Sequence, residues 1–120
     1  MLEIEEVIEN YVLGWNSSNP EDRLLLMKKV LAENCLYLDS HLPEPVDNLE
    51  THCQLIESFR GKFPEISLQL STAPDSHHGY FKLAWKMVKK NGDVLMEGNF
   101  FGEVNQLNKI TKLVGFVDKK

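Results

Sequence analysis

No stretch of this sequence is apolar for long enough to cross a bilayer, and its start, Met1-Leu2-Glu3-Ile4-Glu5-Glu6, is acidic where a secretory leader is basic. Membrane and exported classes are therefore set aside, and the cytoplasm is the expected location. Arginine is scarce, present only as Arg23 and Arg60, and with 18 acidic against 13 basic residues the formal charge is -5. A nucleic-acid binder needs a basic face to neutralise phosphate, so that partner is excluded. Cysteine is limited to Cys35 and Cys53, which lie outside any Cys-x-x-Cys spacing and have no second pair to complete a zinc site. They read as buried thiols, with a disulfide left open only if their strand and helix touch. Nothing in the sequence demands a metal, a nucleotide or a flavin, and no cofactor is expected.

What is present is ordinary for a globular protein: 42% hydrophobic and 26% charged residues in a chain of 120. That length suits one domain, residues 1–120, around a single core. Residues 3 to 16 carry Ile4, Val7, Ile8, Tyr11, Val12 and Trp15 at spacings of three and four, the stripe of an amphipathic helix. Asn19-Pro20-Glu21-Asp22 starts a second helix to about Leu31, with a capping side chain, proline at the first helical position and then acids. Its buried stripe is expected at Leu24, Met27, Val30 and Leu31, with Arg23, Lys28 and Lys29 outside. Cys35 to Asp39 reads as a short strand, stopped by Pro43 and Pro45. Asn48 caps a third helix from Leu49 to about Arg60, ended by Gly61, on which Leu49, His52, Cys53, Ile56 and Phe59 share a side.

The second half alternates instead. Ile66 to Ser71 forms a strand before the Ala73-Pro74-Asp75-Ser76 loop. In Gly79 to Val88, Phe81, Leu83, Trp85 and Met87 fall on one parity and Tyr80, Lys82, Ala84, Lys86 and Val88 on the other. Asn91-Gly92 supplies a type I′ hairpin turn to Val94–Val104, and Ile110 to Val117 is the last strand. The plan is α+β, with three N-terminal-half helices packed in a curved, mainly antiparallel sheet. A hollow at the open end of such a sheet suits a small molecule.

Several short motifs in this order resemble the nuclear transport factor 2-like or SnoaL-like superfamily, the cystatin-like α+β cone. They are Trp15-Asn16, Leu36-Tyr37-Leu38-Asp39, Phe63-Pro64, Gly98-Asn99-Phe100-Phe101-Gly102-Glu103, Lys109-Ile110 and Gly115-Phe116. The resemblance implies acid-base chemistry on an apolar carbonyl or hydroxyl compound, as in isomerases, polyketide cyclases and dehydratases. It also implies a homodimer joined through the outer sheet face. Tyr11 resembles the oxyanion-stabilising tyrosine of ketosteroid isomerase and Asp39 its proton-abstracting aspartate. Phe100, with Asn99 beside it, stands where that enzyme carries a protonated acid. An alternative is a non-catalytic dimeric interaction module with a vestigial pocket.

Asp39 is thus a general base or the cap of its own turn, and Tyr11 a hydrogen-bond donor or a core tyrosine. Of His77 and His78, adjacent on a strand and so pointing to opposite faces, His78 is expected at the pocket rim as a third catalytic group. His41 is a loop residue and His52 structural. Trp15, Tyr37, Phe59, Phe63, Trp85 and Phe100 are the expected aromatic walls. No metal ligands are assigned.

Overall fold

The computed structural model describes residues 1–119. Helix α1 spans Ile4–Asn16, α2 Pro20–Val30 and α3 Leu49–Lys62; strands are β1 Leu31–Asp39, β2 Ser67–Leu70, β3 Asp75–His77, β4 Tyr80–Val88, β5 Val94–Val104 and β6 Ile110–Val117. The strands form one sheet in the order β1-β6-β5-β4-β2, with β3 also on β4. Strand β1 runs parallel to β6, and every other pairing is antiparallel. The three helices cover one face of this curved α+β sheet. None of the helices is long and apolar enough to cross a membrane.

Local chemistry accounts for the helix starts. The Asn19 side-chain oxygen accepts from the Glu21 and Asp22 amides at 2.8 and 3.2 Å, and that of Asn48 accepts from the Thr51 amide at 2.7 Å. Each satisfies amides that a helix leaves without partners. The third helix runs past Gly61 and ends at Phe63, whose amide bonds the Phe59 carbonyl. Gly61 is therefore a helical residue and not the expected terminator. The second helix passes straight into β1 at Leu31, earlier than the expected start at Cys35. A register irregularity between Leu31 and Leu36 hides this strand from a period-two reading.

Turn chemistry also differs from expectation. Asn91 does not have positive φ, whereas Gly92 does, at 96°. The Gly92 amide bonds the Lys89 carbonyl and the Lys89 amide bonds the Asp93 carbonyl, so glycine closes a longer loop as a bulge. The two-residue turn with positive φ at both positions lies at His78 (51°) and Gly79 (82°), between the paired residues His77 and Tyr80. It joins β4 to a strand, β3, that falls in the expected loop.

The inward parity of β4 is as expected: Phe81, Leu83 and Trp85 are buried among Val7, Ile8, Met27, Val30, Ile110 and Leu113. Opposite them, β5 presents Gly98, Phe100 and Gly102. A Cβ at Gly98 would collide with the Phe116 carbonyl oxygen and the Trp85 indole, and one at Gly102 with the Phe81 ring. The aromatic rings lie over bare backbone, and the sheet bends where side chains are missing. One residue of the outward parity is nevertheless covered: Val88 is 7% exposed, next to a register shift that inserts Leu95 into β5 and leaves the alternation of β4 unbroken.

Arg23 is the largest departure, expected outside and 2% exposed. Its Nε donates to the Gly14 carbonyl at 3.0 Å, its guanidinium also donates to the Ser17 carbonyl, and Glu57 of α3 lies 3.7 Å away. It satisfies carbonyls that the end of α1 leaves free, and it joins all three helices. Arg23→Met, which keeps the stem and removes the donors, is expected to cost on the order of 3 kcal/mol in urea unfolding. An unchanged midpoint would show that these contacts contribute nothing.

Candidate functional site

Between the helices and the concave face lies a cavity of about 470 Å³. Tyr11 and Trp15 enter it from α1, Tyr37 and Asp39 from β1, His52, Phe59 and Phe63 from the region of α3, Trp85 and Met87 from β4, Met96 and Phe100 from β5, and Gly115 and Val117 from β6. All six expected aromatic walls line it. Their rings meet in pairs: Trp15 and Phe59 at 5.1 Å, Phe59 and Phe63 at 5.1 Å, and Trp85 and Phe100 at 5.6 Å between centroids. These packings fix the walls without filling the space.

Two hydrogen-bonded pairs, Tyr37 with Asp39 and Tyr11 with His52, bring polar groups to this largely apolar room, which Ser58 and Lys62 also line. The Tyr37 hydroxyl donates to Asp39 Oδ2 at 2.7 Å, while the other carboxylate oxygen accepts from the His41 amide at 2.8 Å. Asp39 therefore caps its own turn, and it also lines the cavity. The loop beyond is held by reciprocal backbone bonds between Tyr37 and Val46. Gly115, paired with Asp39 across the parallel strands, leaves the room: a Cβ there would lie 3.1 Å from the Phe100 ring and 3.4 Å from Asp39 Cβ.

Tyr11 and His52 form the second half of the cluster. The Tyr11 hydroxyl lies 2.9 Å from His52 Nε2, and the His52 ring packs on Tyr37 with centroids 4.6 Å apart. His52 is 1% exposed. Burial pushes its pKa from 6.5 down to about 4, against the smaller opposing pull of Asp39, so the ring is neutral at neutral pH. Burial raises Tyr11 and Tyr37 well above the usual phenol range, helped by Cys35, Cys53 and Asp39 at Tyr11 and by Tyr11 and Asp39 at Tyr37. Both remain hydrogen-bond donors. The two cysteines are unpaired thiols, and burial pushes Cys35 up to about 12, which leaves it unreactive. Two buried atoms of the wall, His52 Nδ1 and Trp85 Nε1, have no hydrogen-bond partner among the described residues.

His78 does not join this cluster. It occupies the left-handed position of the β3–β4 turn, beside Tyr80, whereas the cavity opens against Trp85 and Met87 farther along β4. Five to seven strand residues separate the two places, roughly 20 Å. Histidine tolerates this conformation better than most side chains, which is a structural reason for its presence. The positive φ also breaks the strand alternation. His77 and His78 therefore do not point apart, and their Nδ1 atoms lie 3.0 Å from each other. Among the described residues no cluster of three metal-ligating side chains occurs.

His52 is the residue that sequence reasoning assigned to structure alone. The available signal was a titratable ring in the apolar stripe of Leu49, Cys53, Ile56 and Phe59.

Comparison with known proteins places this geometry. No family model matches the sequence, and no curated protein does. Among solved structures, a SnoaL-like family protein from Agrobacterium tumefaciens, described as a candidate isomerase, superposes with a TM-score of 0.86 at 27% identity, over 95% of this chain and 96% of that one. The chain has the SnoaL-like cone fold, shared with NTF2-like and ketosteroid isomerase-like proteins. An NTF2-like protein from Exiguobacterium, at 12% identity, covers 95% of the cone and 99% of its own chain with a TM-score of 0.74. A ketosteroid isomerase-like fold from Catenulispora acidiphila, solved with trimethylamine, gives 0.71 at 10% identity, over 92% of the cone and 83% of its own chain. The last two support the cone's fold alone.

The lowered His52 value has a consequence for stability. As pH falls through 6.5 the unfolded chain protonates this ring while the folded cone does not until about 4. Stability is therefore lost across that window, by up to roughly 3 kcal/mol. His52→Gln is expected to remove this component, read as a flatter difference curve in urea unfolding at a series of pH values. Parallel curves for the two proteins would contradict a buried neutral histidine.

Proposed function

We propose that the protein binds a small, flat, apolar molecule and performs acid-base chemistry on it, in the manner of SnoaL-like isomerases, cyclases or dehydratases. The observation that carries this reading is the carboxylate of Asp39 with the phenols of Tyr11 and Tyr37 in a largely apolar, aromatic-rich cavity of about 470 Å³, a size that suits such ligands. Asp39 removes a proton next to a carbonyl. The electron pair of that C–H bond becomes the carbon–carbon double bond of an enolate, whose oxygen accepts a hydrogen bond from Tyr11. Return of the proton at another carbon gives isomerisation, and loss of a β-hydroxyl with that proton gives dehydration. Phe100 provides an apolar wall, packed edge-on to Tyr11 at 6.2 Å, so the enolate oxygen is held with fewer donors than in ketosteroid isomerase. The unpaired thiols suit a reducing compartment such as the cytoplasm.

The test needs no knowledge of the natural substrate. Flat bicyclic ketones such as 2-tetralone are incubated in D₂O, and exchange of the α-protons is followed by NMR. Asp39→Asn can accept from the His41 amide through its oxygen and donate through its NH₂ to the Tyr37 hydroxyl oxygen, so the fold should survive while exchange falls about a hundredfold or more. Equal exchange by variant and parent would remove Asp39 from the chemistry. No exchange above buffer, with no ligand bound, would favour the module with a vestigial pocket.

The partner proposed for the outer sheet face is a second copy of the chain. Tyr80, Phe101 and Phe116 are 54, 47 and 52% exposed, and Phe101 meets Phe116 edge-on at 5.8 Å. Apolar surface of this kind favours association. Val88, expected on this face, is buried and takes no part in it. Phe116→Glu should convert dimers to monomers in sedimentation, and an unchanged profile would place any interface elsewhere.

A further inference from the structure

We infer that His52 carries its proton on Nε2 and donates it to the Tyr11 oxygen, so that the Tyr11 hydroxyl proton is directed into the cavity toward a ligand oxygen. His52 is then a positioning residue. It acts through Tyr11 and does not itself meet the ligand. The ligand half of this inference rests on reading the cavity as a small-molecule site; the histidine half does not.

The geometry offers two arrangements. Tyr11 O and His52 Nε2 are 2.9 Å apart, and a single proton lies between them. If Tyr11 supplies it, the neutral ring holds its own proton on Nδ1. That atom is buried and has no partner among the described residues, so an N–H would be orphaned in the wall. If His52 supplies it, Nδ1 is a bare lone pair, and the free donor becomes the Tyr11 O–H, a rotatable hydroxyl on a side chain that lines the cavity. Orphaned buried N–H groups are rare, and a rotatable hydroxyl can find a partner where a fixed ring N–H cannot. The second arrangement leaves the cheaper defect in the wall and places the useful donor in the cavity. A doubly protonated ring is not a third choice near neutral pH, because burial holds His52 at about 4.

The consequence for specificity is chemical. Across the cavity Asp39 has both oxygens engaged as acceptors, from Tyr37 and from the His41 amide. The Tyr11 proton then joins the unpartnered Trp85 N–H as a donor on the cavity wall, and its complement is an oxygen with a free lone pair. A carbonyl fits this better than a hydrocarbon of the same shape or a protonated amine, which has no lone pair to offer.

The decisive experiment reads the tautomer directly. Protein labelled with ¹⁵N-histidine gives two-bond ¹H–¹⁵N correlations near neutral pH that distinguish protonated from bare ring nitrogens. The exposed histidines are assigned by H41N, H77N and H78N, which leave the core untouched and identify the remaining pattern as His52. A protonated Nε2 and bare Nδ1 are expected, and a protonated Nδ1 would overturn the inference. For the ligand half, calorimetric titration compares 2-acetonaphthone with 2-isopropenylnaphthalene. The parent should prefer the ketone by on the order of tenfold, and Tyr11→Phe should bind both alike. Equal binding of the two by the parent would overturn the inward-pointing proton. Binding of neither would count against the proposed function, and the tautomer would then decide the inference by itself.

Discussion

Two positions on β5 that have no room for a side chain, Gly98 and Gly102, set the shape on which the rest depends. The rings of Trp85 and Phe81 lie across them from β4, and the Phe116 carbonyl approaches Gly98 from β6. With side chains at these points the three strands could not come so close, and the sheet would flatten. A flat sheet packs helices tightly along its whole length. A bent one lets α1, α2 and α3 seal one part of the concave face with Val7, Met27, Val30 and Ile110 while the other part stays open. Core and cavity are thus two outcomes of the same curvature.

The open part is lined mainly by aromatic and aliphatic side chains, which decides how its polar groups behave. Burial favours the uncharged form of each group unless a partner compensates. The phenols and the imidazole accept this and remain neutral. Asp39 sits half-buried at the edge of β1, where the hydroxyl of Tyr37 and the His41 amide meet its oxygens. A carboxylate with such donors is held in position, and it faces donors whose protons cannot easily be lost. Arg23 follows the same logic away from the cavity, since its buried charge is surrounded by carbonyls and by Glu57.

The parts of the fold legible in the sequence were those governed by one rule at a time. Period-three-and-four spacing marked α1, Asn19-Pro20 and Asn48 marked the starts of α2 and α3, and strict alternation marked β4. Aromatic positions such as Trp15 and Phe59 declared themselves as wall because helix periodicity fixes their face. Failures occurred where two requirements competed at one residue. Arg23 looks like a surface cation until the free carbonyls at the end of α1 are counted, and those carbonyls are visible only once α2 folds back. Val88 keeps the outward parity of its strand and is buried all the same, which the spacing of β4 does not announce. The dipeptide His78-Gly79 reads as strand approach, yet left-handed backbone at both residues makes it the turn, and the histidine leaves the site. His52 is the converse case. Its stripe marks it as buried, but only the meeting of α1, β1 and α3 reveals that it is buried against a phenol.

The parallel pairing of β1 with β6 ties the oldest part of the sheet to the youngest. Asp39 lies opposite Gly115, so the carboxylate finds its place only when nearly the whole chain is available. During synthesis the helices and β1 emerge first and wait, with apolar faces uncovered, for a strand that closes the sheet last. Such long-range closure slows folding and prolongs the exposure of surfaces that associate. The cavity is therefore assembled late: a partly made chain has the residues but not yet the arrangement.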